Sequence, residues 1–419
     1  MSKHRNSHLI GGLDIGSSAV RMAVGQVVEK EDGEKELQIL GAAEYGSEGV
    51  NKGKIESIED AVSSISACLE RCERMVGMPI VSVWVGVPSQ HVLVQPSKGV
   101  VAVSKANSEI AEEDVQRALD AAKSIATPLN YEVLHVLPRS FGVDGQLALK
   151  DPVGMTGVRL EVDTSIVLGS SSQLKNLTKS VYRAGLEIDD LALSILAVAE
   201  AAATRRQKEL GTAVVNIGGA STSLAVFEEG ELLHTASVPL GSGNITNDIA
   251  IGLRTSVDIA ERIKIEYGEC VLEPLAKKEE IDLFDLGSEK HEIVKRKYLC
   301  EIVAARMEEI LQKVDEQLRQ VQRSGLLPAG VIFSGAGAKL AGLVEFSKRV
   351  LRLPSALGYP LGLMSVTDKV NDLGFATAIG MVKWGAQAAG EHSGGVSFLD
   401  KTMGRAGGKL KKWIKTLIP

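Results

Sequence analysis

Two segments of this chain, LIGGLDIGSSAVRMAVGQV near the N-terminus and VVNIGGASTSLAVFEEGELL from Val214, repeat one pattern: apolar strand, Gly/Ser turn, apolar strand. A tight turn gathers its backbone N–H groups into an anion-binding nest, so two such turns on two lobes predict a grip on the phosphates of one nucleotide from opposite sides. In the first turn Asp14, Gly16, Ser17 and Ser18 stand at a strand end. Glycine there lets the backbone close on an anion, hydroxyl and N–H donors meet a phosphate, and Asp14 is placed to hold water of a magnesium ion. Arg21 returns toward the same place on the next strand. The second turn, Asn216 to Ser223, offers Gly218, Gly219, Ser221 and Thr222 for the equivalent grip, with Ala220 where a third glycine is expected. A third element, SGAGAKL at Ser334 to Leu340, brings Gly335, Ala336 and Gly337 to a strand end and suits close backbone approach to an adenosine, with Lys339 nearby. It is neither a Walker A loop nor a Rossmann GxGxxG, since Leu340 occupies the last position.

At 419 residues, 44% hydrophobic and 24% charged, the chain has material for two lobes with separate cores. The formal charge of −6 and the 4% aromatic content argue against nucleic acid as a partner. Cys68, Cys72, Cys270 and Cys300 form neither a disulfide framework nor a paired zinc signature, which fits a reducing cytoplasm. Cys68 and Cys72, four apart, read as small apolar residues on a buried helix face. The N-terminal apolar segment is cut by Asp14 before it makes a signal-peptide core. Leu191 to Ala203 is too short for a bilayer, which takes about 20 residues, so any membrane contact is expected to be peripheral.

Periodicity and caps predict strands over 9–28 and 37–45, and helices over Ile58–Met75, Ser108–Lys123 (capped by Ser108), Gln173–Ala184 and Thr246–Tyr267. YEVLHVLPRSFGVD reads as a strand pair and Glu279–Lys297 as a charged surface excursion. Tyr298–Val321 reads as a long helix with a core-packing stripe. The expected division is a first lobe (1–82 and, with a crossover, 166–208) interrupted by an α+β insertion (83–165). A second lobe (209–226 and 306–389) encloses a subdomain (227–305). A Gly-rich linker (390–404) then leads to a terminal amphipathic helix (405–419).

In that last segment Leu410, Trp413, Ile414, Leu417 and Ile418 recur on one side of a helix, with Lys409, Lys411, Lys412 and Lys415 on the other sides and flanks. Residues 405–419 hold five basic and no acidic side chains, a composition suited to an anionic lipid surface. Burying one large apolar side chain contributes roughly 1.5–3 kcal/mol and each Lys near anionic lipid about 1 kcal/mol, before ordering costs. One copy is expected to bind weakly and a filament of copies firmly.

The order of phosphate turn, insertion, phosphate turn, TNDIAIGL and SGAGAKL resembles the FtsA family of actin-like cell-division proteins over nearly the whole chain. The closest strings are HVLPRSFGVDGQLALKDPVGMTGVRLE at His135–Glu161, ITNDIAIGLRTSVDIAERIK at Ile245–Lys264 and NDLGFATAIGM at Asn371–Met381. The resemblance implies an α/β, actin-like (ribonuclease H-like), two-lobed ATPase fold with an inserted α+β subdomain and a C-terminal amphipathic helix. It implies ATP with Mg2+ in the cleft, polymerisation, and residence on the cytoplasmic side of the cytoplasmic membrane at midcell. It assigns FtsZ, through its C-terminal peptide, to the second lobe near 227–305 and later division proteins to the insertion. Glu261 and Lys264 match positions that contact ribose and adenine, and Gly241 completes the nucleotide-binding set. The sequence departs from the family's usual Asp at Asn216, and from a common Asp at Ser223. A neutral amide offers magnesium no charge and is a poor base, so ATP binding with slow or absent hydrolysis is expected. Alternatives are a PilM-type pilus-assembly scaffold and a phosphotransfer enzyme of the same superfamily; the latter requires a carboxylate where Asn216 stands.

Overall fold

The structure, a computed structural model, describes residues 9–29, 35–105, 107–124, 127–271, 279–289 and 291–390. The terminal segment 405–419 and its linker lie outside the described residues.

The two sequence repeats become the centres of two sheets. Ile10–Ile15 pairs antiparallel with Ala19–Glu29, and Thr212–Ile217 pairs antiparallel with Thr222–Glu228, each across its Gly/Ser turn. On the other side each central strand has a parallel neighbour, Ser82–Val87 in the first sheet and Val331–Ser334 in the second. The first sheet adds Glu187–Leu193, Lys35–Gly46 and the short Met364–Ser365 to make six strands; the second adds Glu231–Val238 and Ser355–Leu357 to make five. Both central strands are nearly continuous apolar runs because helices or further chain cover both faces.

Two helices pack between the sheets. Ser194–Ala202 has almost every residue buried, which explains the apolar run at Leu191–Ala203: it is core, and no helix among the described residues is long and apolar enough to cross a membrane. Ala376–Gly390 lies on Ile10–Ile15 so closely that a Cβ on Gly12 would stand 2.1 Å from the Ala378 carbonyl oxygen. A Cβ on Gly380 would stand 2.0 Å from the Ala197 carbonyl oxygen. Glycine here permits backbone-on-backbone packing that no side chain would allow.

The helix Ile58–Val76 is capped by Ser57, whose hydroxyl accepts from Asp60 N, and ended by Gly77 in the left-handed region at φ 73°. It buries Cys68 and Cys72, as their spacing predicts, and burial pushes both thiols up to about 12, so they are inert packing groups.

The insertion is a four-stranded sheet (Val92–Ala102, Arg159–Ser170, Tyr131–Val143, Gln146–Leu149) with the helix Glu112–Lys123 on one face and its own apolar core. Tyr131–Val143 is one long strand rather than a strand pair. Pro138 is accommodated because the register slips between Asp163 and Thr164, a bulge that spares the missing N–H. Ser108 does not cap the helix: it takes φ 58° in the preceding turn, and the helix starts after Ala111, whose N–H donates to the Asp114 carboxylate at 2.9 Å.

In the second lobe, Thr246–Tyr267 is two helices, Ser242–Leu253 and Val257–Tyr267. The first stops where Arg254 turns left-handed at φ 53°, and Ser256 caps the second. Glu279–Lys297 is more than a surface excursion, since Glu280–Asp282 pairs with Ile293–Lys295 and buries Ile281 and Val294. The long helix Arg296–Gln320 presents Leu299, Val303, Met307, Ile310, Leu311, Val314 and Leu318 to the core, as the apolar spacing requires.

Because the carbonyl of Ala378 has nowhere to retreat, Gly12→Ala should destabilise the protein by about 1–3 kcal/mol. Urea unfolding followed by circular dichroism reads the loss as a lowered midpoint at unchanged slope.

Candidate functional site

The two Gly/Ser turns are closed by the same bond. Gly16 N donates to Ala19 O at 3.1 Å, and Gly218 N donates to Ser221 O at 2.8 Å. They also meet: a Cβ on Gly219 would lie 1.9 Å from Ser18 Oγ, so the tips of the two hairpins touch across the crevice between the sheets. Ser17 Oγ accepts from Gly53 N at 2.9 Å, which fixes that hydroxyl from the first-lobe side, while Ser18 is exposed.

Around the second turn the chain folds back twice. Gly241 packs so tightly that a Cβ on it would stand 2.6 Å from Gly218 O and from Ser221 N. The helix Ser242–Leu253 begins there, with Ser242 N donating to Gly218 O at 2.9 Å and Gly243 N to Gly219 O at 2.7 Å. Its positive end therefore adjoins the turn. Thr222 is fully buried, and its hydroxyl donates to Leu240 O at 2.8 Å, so it braces the turn from behind. The third element sits on the same strand end. Gly335 has φ 87°, and a Cβ there would lie 2.3 Å from Asn216 Oδ1; one on Gly337 would lie 2.5 Å from Ile217 Cγ2.

Glu261 and Lys264 stand on the helix Val257–Tyr267, one turn apart. Lys264 is buried, and its ammonium donates to Glu261 Oε2 at 2.6 Å and to Thr246 Oγ1 at 2.8 Å. Thr246 Oγ1 in turn donates to Glu261 Oε2, so the three side chains tie this helix to the first turn of its predecessor. Lys339 is engaged rather than free: its ammonium donates to Asp372 Oδ2 at 2.7 Å.

On the first lobe Asp14 stands opposite Arg21 in the hairpin register. Burial raises the Asp14 carboxyl to about 6, against the opposing influence of Arg21 and Thr377. The Arg21 guanidinium donates to Glu44 Oε2 at 3.1 Å and lies 5.8 Å from the centroid of the Phe375 ring. Sequence reasoning did not single out Glu44, Asp372 or Thr377. The last two fall within NDLGFATAIGM, where nothing but tertiary placement marks them as neighbours of the turns. The membrane-binding set Lys409, Leu410, Lys412, Trp413, Ile414, Leu417 and Ile418 lies outside the described residues.

A family model described as "Cell division protein FtsA" matches residues 213–380, and one described as "SHS2 domain inserted in FTSA" matches residues 89–168. The cell division protein FtsA of Pseudomonas aeruginosa is 35% identical over 421 residues, covering 99% of this chain and 99% of that protein. This chain belongs to the FtsA family of cell division proteins. Two solved structures share its fold at low identity. The PilM–PilN type IV pilus biogenesis complex aligns over 90% of this chain and 98% of that one at 15% identity and TM-score 0.63. MreB5 of Spiroplasma citri bound to ADP aligns over 93% and 100% at 12% identity and TM-score 0.56. The FtsA family's fold is thus actin-like α/β with an inserted subdomain, as the resemblance implied.

A carboxyl whose folded pKa stands above its unfolded value of 3.8 holds its proton more tightly when folded, so its contribution to stability is present below about pH 4 and lost as pH rises through about 6. Asp14→Asn should therefore stabilise the nucleotide-free protein near pH 7.5. Asp14 keeps some solvent contact, so about 1–2 kcal/mol is expected rather than the whole shift. In urea titrations the difference between variant and wild type should shrink toward zero by about pH 4.

Proposed function

We propose that this chain is an ATP-binding, membrane-associated division protein that polymerises, tethers the FtsZ ring to the cytoplasmic face of the membrane at midcell and recruits later division proteins. The observation that carries the nucleotide part is the contact of Gly219 with Ser18, where two identically closed turns from two sheets meet tip to tip. Phosphates fit that geometry. The adenosine is assigned to the side of Gly335, Ala336 and Gly337, with Gly241, Glu261 and Lys264 completing its site. The ADP carried by the MreB5 neighbour is consistent with this reading.

Magnesium fits as well. The half-buried Asp14 carboxyl stands opposite Arg21, whose guanidinium is shared with Glu44, and among the described residues no group of three or more His, Cys, Asp or Glu side chains forms a cage. Such a site suits an ion held chiefly by phosphate oxygens and water, with one carboxylate oriented toward that water. Asn216, beside Gly335, supplies a neutral amide where hydrolysis would need a negative acceptor, so turnover is slow or absent.

Membrane attachment is assigned to the amphipathic terminus with Trp413 at the centre of its apolar side, FtsZ to the second lobe near 227–305, and later partners to the insertion. Assembly multiplies the weak attachment of one copy, so nucleotide-dependent polymerisation and membrane residence rise together.

Two measurements test this. Purified wild type should bind ATP yet show little phosphate release, and Asn216→Asp should raise the release at least severalfold; robust wild-type hydrolysis that survives removal of Asp14 would defeat the reading. Protein lacking residues 405–419 should fail to co-sediment with vesicles containing anionic lipid, whereas full-length protein with ATP should pellet. Equal pelleting of the two would remove the terminus as the anchor.

A further inference from the structure

The inserted subdomain touches both lobes, and it touches them differently. One face of its sheet carries the helix Glu112–Lys123. On the other face Val94, Leu137 and Val167 pack into the apolar core of the first lobe, and Leu193 N donates to the buried His135 Nε2 at 3.0 Å, so the insertion is firmly seated there. Beyond that contact Lys98, Arg139 and Asp163 line an open cleft of about 610 Å³, and its opposite wall is the second lobe, at Glu228, Glu229 and Glu231.

That second wall is the tip of a lever. Glu228 to Glu231 is the turn between the strands Thr222–Glu228 and Glu231–Val238. At its other end this ribbon is rooted in the second Gly/Ser turn: Thr222 follows that turn directly and donates its hydroxyl to Leu240 O, and Gly241 is packed on Gly218. At about 3.3 Å per residue the ribbon spans about 20 Å, so a small rotation at its root is a larger displacement at its tip. The seam where it meets the insertion is held lightly. Lys150 Nζ donates to Glu229 O at 2.8 Å in an exposed position. Glu231–Val238 also packs on the turn Ser89–His91 and on the strand Tyr131–Val143. Yet these elements bury Ser89 Oγ, Gln90 Nε2, His91 Nε2 and Ser237 Oγ without a hydrogen-bond partner. Buried polar atoms are normally paired, so parting the elements breaks no bond of those four and admits water to them.

We infer that the seam between the insertion and the ribbon Thr222–Val238 opens and closes with the nucleotide crevice, and that Lys150 is its latch. Two turns that grip one ligand are held at the approach seen here, where Lys150 reaches Glu229 O. An empty crevice leaves the lobes free to part, and the ribbon then carries Glu229 away from an insertion that stays with the first lobe. The placement of the insertion against the second lobe thereby reports whether the crevice is filled. This joint presupposes the ATP reading of the crevice and adds a moving part to it.

Two readouts on the full-length protein test it. The first is the dissociation constant for a fluorescent ATP analogue with Mg2+, for wild type, Lys150→Met and Lys150→Glu. Lys150 is exposed and lies outside the Gly/Ser turns, so neither substitution alters the crevice itself. A contact made only while the lobes are gripped strengthens binding by linkage. Lys150→Met should therefore weaken binding about two- to tenfold, the range of one net hydrogen bond, and Lys150→Glu, which sets a carboxylate beside the acidic turn, should weaken it further. The second readout is the distance between nitroxide labels on Leu147→Cys of the insertion and Arg206→Cys, whose helix holds the ribbon tip through Glu229 N to Glu209 O and Gly230 N to Lys208 O. Both positions are exposed, whereas the four native cysteines are buried. Saturating ATP should shorten and narrow the distance distribution, and adding Lys150→Met should reverse part of that change. Unchanged affinity in both Lys150 variants overturns the latch, and a distribution indifferent to ATP in protein that binds ATP overturns the joint; the ATP reading stands in either case. A wild type that binds no nucleotide overturns that reading and the joint with it.

Discussion

The structure depends on close approaches that only glycine allows. Gly219 against Ser18 brings the two hairpin tips together, Gly335 against Asn216 and Ile217 lays the third element on the second turn, and Gly12 against Ala378 seats the last described helix on the first hairpin. A side chain at any of the three glycines would force the joined parts away from each other.

Around these contacts the charges are arranged so that few are left open at the crevice itself. Lys264 is held by Glu261 and Thr246, Lys339 by Asp372, and Arg21 by Glu44. The Asp372 carboxylate is held below its usual range, its burial outweighed by Lys339, the Gly374 N–H and Arg21. Asp14 is the exception, raised to about 6 by the same burial. Both carboxyls lie within the influence of the same arginine, which with Lys339 outweighs burial at Asp372 and does not outweigh it at Asp14.

Much of this was legible in the chain because the repeat carried it. Strand, turn and strand recur with the same residue types, and apolar runs on both sides of Gly16 and Gly218 mark which strands are central. The stripe from Leu299 to Leu318 marked the long helix. What the sequence hid was tertiary in origin. Pro138 reads as a break in a strand until the bulge beside Thr164 is seen to absorb it. Ser108 has the right type and spacing for a cap, but Asp114 serves Ala111 instead and leaves Ser108 in a left-handed turn. Arg254 ends a helix in the middle of an unbroken helical pattern because a left-handed residue is stabilised there by bonds to Ala250 and Ile251. Glu44 carries no motif, and Asp372 and Thr377, though inside NDLGFATAIGM, are not marked by that string as neighbours of the glycine turns; only the tertiary fold brings the three together.

The helix Ala376–Gly390 couples the site to both lobes. Its first turn carries Thr377, and its body is locked by Gly12 and Gly380 to the first hairpin and to the helix Ser194–Ala202. Gly385 adds a third close approach, to Trp84 and Ile10. Two of these contacts, at Gly12 and Gly380, are with main-chain carbonyls, and the third is with side chains of the first lobe, so the helix is closely seated on the first hairpin and on its neighbouring helix. The segment just before it, residues 368–375, is bonded to the second lobe through Leu373 and Asp372. The few residues from Asp372 to Ala376, with Gly374 close against Arg21, therefore run straight from contacts with the third glycine element into a helix fixed on the first hairpin.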